Sequence, residues 1–156
     1  MSETNPLERS QLEHWLSSAG IDHYICDQCN GLHLPGLQEL EGVVDSRIFV
    51  EPWGLLLSTE LVARPVALLP LVADLSRLNI DYPTLKLFLD IVDDAMPQLV
   101  AGATHLTGAG FTEAQFRHFV ATAMESVRQL VSECRHLDYL LPDEDAEQNP
   151  QQPRVH

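Results

Sequence analysis

A chain of 156 residues, 45% of them apolar, is long enough to close one hydrophobic core, so a single domain is expected. Its formal charge of −14, with 9 basic side chains and Lys86 the only lysine, lacks the clustered cations that phosphate binding needs. Neither nucleic acid nor an anionic membrane surface is therefore an expected partner.

Asn5-Pro6-Leu7-Glu8 has the form of a helix start, with Asn5 as cap and Glu8 three residues on. Leu12, Trp15, Leu16 and Ala19 follow at helical spacing, and Gly20 suits the stop. Ile21–Cys26 alternates and is β-rich, which predicts a strand; Leu32-His33-Leu34 resumes it until Pro35. Gly36–Gly42 reads as a loop or half-turn. Val43–Glu51 alternates, with Val44, Ile48 and Val50 on one side and Asp45, Arg47 and Glu51 on the other. Pro52-Trp53-Gly54 is the turn into a strand lined by Leu55, Leu57, Thr59 and Leu61.

Arg64–Asn79 is the segment around which the chain is organised. Pro65 suits the first helical position, and Pro70 should kink or tighten the early helix. Leu68, Leu71, Val72, Leu75 and Leu78 form one stripe at helical spacing, yet Val66, Leu69 and Ala73, off that stripe, are apolar too. A helix with so little polar face is covered on both sides, by its own domain or by a second chain. The five stripe residues are accordingly the expected dimer or partner interface, and a homodimer is the expected assembly.

Beyond Asp81-Tyr82-Pro83, Leu85, Leu87, Leu89 and Ile91 alternate with Lys86, Phe88 and Asp90. After a loop at residues 93–97, Leu99–Leu106 returns as the hairpin partner, its Ala101, Gly102 and Ala103 suited to close packing beneath a helix. Thr112 and Gln115 form a capping-box pair, and Phe111 and Phe116 hold the hydrophobic-staple positions. The stripe Phe116, Phe119, Val120, Ala123, Val127, Leu130, Val131, Cys134, Leu137 then spans about seven turns, and Pro142 is the expected stop. Residues 142–156, acidic and rich in Gln and Pro, are expected to be a disordered tail on a domain of residues 1–141. The order of helix, three strands, helix, two strands, helix favours an antiparallel sheet and an α+β class.

One constellation could hold a metal. His23, Cys26, Cys29 and His33 place four zinc-type ligands within about a dozen residues. Against it, strand alternation would put His23 and Cys26 on opposite faces, and a second cysteine pair is missing. A redox dithiol and a structural role for the cysteines are the other readings. Asp90, Asp93 and Asp94 cluster at a hairpin loop, where turn-capping aspartates are common. His105, His118 and His136 have no nucleophile partner in view. Gly108-x-Gly110 lacks the third glycine of a dinucleotide fingerprint, since Glu113 stands there. No cofactor is expected and no enzyme motif is present.

Cys26–Pro35 (CDQCNGLHLP), Arg64–Asn79 (RPVALLPLVADLSRLN), Leu85–Asp94 (LKLFLDIVDD) and Leu140–Asn149 (LLPDEDAEQN) resemble the enterobacterial branch of the YbjN family. The resemblance covers nearly the whole chain. It implies a bacterial sensory transduction regulator with a fold like that of class I type III secretion chaperones, paired as a homodimer. It carries over no catalytic residue. It also implies regulation of stress responses, motility, surface polysaccharide or virulence through protein–protein contacts. The alternatives are a thiol- or zinc-based sensor using Cys26 and Cys29, and a secretion-chaperone-like binder of an unfolded effector segment. The first ten residues lack a signal-like pattern, no apolar run is long enough to span a membrane, and the cysteine count is odd. A reducing cytoplasm is the expected location.

Overall fold

A computed structural model describes residues 7–142. The elements are α1 (Arg9–Ser18), β1 (Leu32–His33), α2 (Pro35–Gln38), β2 (Val43–Glu51), β3 (Gly54–Val62), a 3-10 turn (Pro65–Ala67), α3 (Leu68–Asp81), β4 (Lys86–Asp90), β5 (Gln98–Leu106) and α4 (Glu113–His136). The five strands form one antiparallel sheet in the order β1-β2-β3-β5-β4. The class is α+β, as the strand runs imply.

Leu55, Leu57, Thr59 and Leu61 of β3 and Leu99, Ala101 and Ala103 of β5 are buried on one sheet face. α4 packs across β3 and β5 and against α1 and α2. The alanines of β5 keep this face low, so a helix backbone can lie close to it. Phe116, Phe119, Val120, Ala123, Met124, Val127, Leu130, Val131 and Cys134 are the buried side of α4. All belong to a core shared with Leu12, Trp15 and Leu16 of α1.

The start of α4 has the expected chemistry. Gln115 N–H donates to Thr112 Oγ1 at 3.1 Å and Thr112 N–H to Gln115 Oε1 at 2.9 Å. The Phe111 and Phe116 rings meet edge-on at 6.2 Å. The end differs from the expected stop at Pro142. Asp138 takes a positive φ of 58°, and the N–H groups of Asp138 and Tyr139 return to the carbonyls of Arg135 and Cys134. That reverse turn closes α4 at His136, six residues early, because Leu140 is drawn back into the core and bridges to Ala63.

Three other expectations change. Ile21–Cys26 is no strand; only Tyr24 pairs, as a single bridge to His33, since the chain bends again at residues 27 and 28. A register shift between Val43 and Asp45 puts Val43 rather than Val44 against the core, so Val44 is exposed, as is Val50 beside the hairpin turn. Glu8, not Asn5, is the N-cap of α1; Asn5 and Pro6 lie outside the described residues, as does the expected tail beyond residue 142. Gly20 ends that helix as anticipated, at φ 71°. Gly54 follows the two-residue turn with φ 151°, and a Cβ there would overlap the His105 carbonyl oxygen, so β5 can approach β3 only past glycine.

α3 lies beside β4, at the sheet edge. Asn79 closes that edge: its Nδ2 donates to the Leu87 carbonyl at 3.1 Å, and its Oδ1 accepts from Leu87 N–H at 2.9 Å. Arg77 joins α3 to α4, donating to Asp74 at 2.7 Å and to Glu133 at 3.0 Å. Pro70 falls in the first turn of α3, where its missing N–H breaks no bond, and the turn before it is tightened to 3-10. Replacing Thr112 by Ala removes the cap of the helix that covers the sheet. Urea unfolding of Thr112→Ala is expected to show a loss of about 1 kcal/mol with unchanged m-value.

Candidate functional site

Pairing of β1 with β2 sets His33 opposite Arg47 at the sheet edge. The chain before β1 crosses back over this edge, and Gly31 permits it: a Cβ there would sit 3.0 Å from both Arg47 Cβ and Phe49 Cε1. Three of the four suggested ligands converge as a result. Cys26 Sγ lies 3.4 Å from Cys29 Sγ, and His33 Nε2 is 3.3 Å from each sulfur. His23 is not among them; its Nδ1 faces the Ile21 carbonyl oxygen at 3.0 Å. With Ile21–Cys26 not a strand, alternation does not place these residues.

Behind the cluster stands a polar chain that sequence spacing did not reveal. His33 Nδ1–H donates to Asp45 Oδ1 at 3.0 Å. The same oxygen accepts from Gln38 Nε2 at 2.6 Å and from Ser46 N–H at 2.8 Å. Gln38 Oε1 accepts from the Tyr24 hydroxyl at 3.0 Å, and the Tyr24 ring stacks on His33, 4.6 Å away and 5° from parallel. A carboxylate oxygen 3.0 Å from Nδ1 calls for a proton on that nitrogen, and Nε2 is the ring atom that faces the two sulfurs.

The Gly31 backbone N–H, then Cys26, Arg47 and His33, hold the Cys29 thiol down at about 7, against the opposing effect of burial. Burial would lower the buried His33, but its contacts with Cys26, Asp45 and Cys29 leave it raised. Burial would raise Asp45, yet hydrogen bonds from Gln38, His33 and the Ser46 N–H leave it lowered. Arg47 donates to Glu60 at 2.7 Å, sits 3.5 Å from Asp45 and also interacts with Cys29. Cys134 is the opposite case: fully buried, its thiol is pushed up to about 12 by desolvation and by Glu133 and Asp74.

The other candidates stay apart. Asp90, Asp93 and Asp94 are exposed at one end of the β4–β5 hairpin, while His105 is seven residues along β5, roughly 24 Å away. His118 and His136 are exposed on α4. Among the described residues, Cys26, Cys29 and His33 are the one group of three metal-ligating side chains brought together.

The expected interface stripe divides. Leu71 and Leu78 are 0% exposed in the core of their own chain and cannot line a contact with another. Leu68 and Leu75 are half-buried, and only Val72 is exposed. The face open to a partner is the opposite one, where Val66, Leu69, Val72 and Ile80 are 77, 80, 54 and 75% exposed. α3 turns this way because Leu71 and Leu78, not Leu69, fill the space beside β4.

A family model described as "Putative bacterial sensory transduction regulator", YbjN, matches residues 8–136. The chain belongs to the YbjN family. It is 38% identical over 138 residues to "Uncharacterized protein YbjN" of Escherichia coli K12, spanning 88% of this chain and 87% of that protein, and equally to YbjN of Shigella flexneri. A solved structure, "Crystal structure of YbjN, a putative transcription regulator from E. coli", superposes with TM-score 0.82 at 37% identity, over 86% of this chain and 95% of the other. The fold is thus that of the YbjN structure, and the family is one described as sensory transduction regulators. No helix among the described residues is long and apolar enough to cross a membrane.

In reduced, chelator-treated protein, iodoacetamide labelling of Cys29 should accelerate as pH rises and its thiolate forms, with half-maximal rate near pH 7. Cys134 should stay unlabelled until the chain unfolds. Peptide mass spectrometry distinguishes the two sites.

Proposed function

We propose that this member of the YbjN family is a non-enzymatic regulator that works by binding protein chains. Its contact surface is the outer face of the 3-10 turn and α3, which first pairs two copies of the chain. The supporting observation is the stripe Val66, Leu69, Ala73, Ser76, Ile80, with Val72 beside it. These positions recur every three or four residues along one face, and none is charged. An uncharged, largely apolar exposed face of this kind is uncommon on a protein without a partner. It is also self-complementary: two such stripes can pack about a two-fold axis without bringing like charges together. That matters for a chain of formal charge −14, which repels its own copies over most of its surface.

The same charge bears on the mode of regulation. If this chain shares the transcription role named for its E. coli relative, its effect passes through a protein partner, since phosphate contacts need cations it lacks. The cytoplasm is the setting that fits three free cysteines. Stress, motility, surface polysaccharide and virulence control are the processes the family resemblance points to.

Exposure makes the surface testable without loss of fold. Leu69→Glu should keep the circular dichroism spectrum and weaken pairing more than about tenfold, converting a dimer to a monomer in sedimentation velocity at micromolar concentration. Leu71→Glu should instead unfold the chain, because it buries a charge. A wild-type monomer under these conditions, or a Leu69→Glu dimer as strong as wild type, would refute the surface.

A further inference from the structure

We propose that Cys26, Cys29 and His33 form a binding site for a single zinc-type divalent cation, with Asp45 as the residue that positions His33 and a fourth coordination place left to water. The site is independent of the α3 surface, from which it is separated by the width of the sheet: β1 is one edge strand and β4 the other.

The first argument is the donor set. Two sulfurs and one imidazole nitrogen form a nearly equilateral triangle with edges of 3.4, 3.3 and 3.3 Å. Zinc–sulfur bonds of about 2.3 Å and a zinc–nitrogen bond of about 2.0 Å at tetrahedral angles set the ligand atoms about 3.5–3.8 Å apart. The triangle therefore needs to open by only a few tenths of an ångström. Soft thiolates with an imidazole select zinc over calcium or magnesium, which take oxygen ligands.

The second argument is what stands behind the imidazole. A histidine that ligates a metal donates its other ring N–H to a carboxylate or carbonyl, which fixes the tautomer and aims the lone pair. Here Asp45 fills that role at 3.0 Å, Gln38 and the Ser46 N–H hold Asp45, and Tyr24 holds Gln38. A pair of cysteines that merely filled space would need no such chain.

Both thiols are half-exposed, so an ion can enter from solvent. Binding replaces the two S–H protons by metal–sulfur bonds and releases the protons to solvent; no oxidant or reductant takes part. Three protein ligands and one water leave a place that a small thiol or a partner's side chain can take, as in sites whose fourth ligand exchanges.

The test uses the full chain, reduced with a phosphine and freed of metal, titrated with cobalt(II) as the optical probe and then with zinc. The expected result is a sulfur-to-cobalt charge-transfer band and tetrahedral visible bands that saturate at one equivalent and vanish when zinc displaces cobalt. Asp45→Asn should keep the wild-type circular dichroism and bind about 10–100-fold more weakly. Cys29→Ser should lose the charge-transfer intensity of one thiolate. Leu69→Glu should bind as wild type does. The proposal is overturned if the wild type takes up no more cobalt than the Cys26→Ser, Cys29→Ser double variant. It is overturned equally if the reduced protein binds no metal and air merely converts Cys26 and Cys29 to a disulfide, seen as a loss of two hydrogens by mass.

Discussion

One sheet face is all that this fold can hide, and α4 takes it. Nine side chains of that helix are buried over β3 and β5 and against α1 and α2, and Ala101 and Ala103 leave room for it on the sheet. This arrangement decides where everything else goes. With the middle of the sheet occupied, α3 is left the margin beside β4. It buries Leu71 and Leu78 there and closes the strand edge with the Asn79 amide. An edge strand whose N–H and C=O are taken by a side chain offers less to another sheet. Among the described residues, no element covers the apolar residues on the far side of α3. The exposed stripe is thus a consequence of how the core is filled.

The opposite margin is organised differently. β1 is two residues long, too short to cover β2, and the chain before it folds over the gap. What holds this region is polar: Tyr24, Gln38, Asp45 and His33 form one hydrogen-bonded chain ending at two thiols. The two margins suit different work. One is greasy and uncharged, fit for a protein surface; the other is small, polar and rich in soft ligands. A family described as sensory regulators needs both something to detect and something to contact.

The elements formed by neighbouring residues were legible in the sequence. Thr112 and Gln115 cap α4 because both partners lie within one turn, and the alternation of β3 declares which side is buried. The signals failed where distant residues decide. Ile21–Cys26 alternates like a strand, yet has only His33 to pair with. The bulge at Val44 reversed part of β2, and it brings Asp45 beside His33, twelve residues away. No spacing rule links Tyr24, Gln38 and Asp45, so the support of the cysteine cluster stayed hidden while its ligands did not. Periodicity does show that α3 carries apolar positions on more than one face. Which face was core depended on β4, and periodicity carries no such information.

Hydrogen–deuterium exchange at rising protein concentration, read by mass spectrometry, tests the central claim most directly. If α4 is the internal cover of the sheet and α3 the surface that pairs, α4 amides exchange slowly at every concentration, while residues 65–81 gain protection as copies associate. Protection of α4 that grows with concentration, or residues 65–81 exchanging at one rate from dilute to concentrated solution, would contradict it.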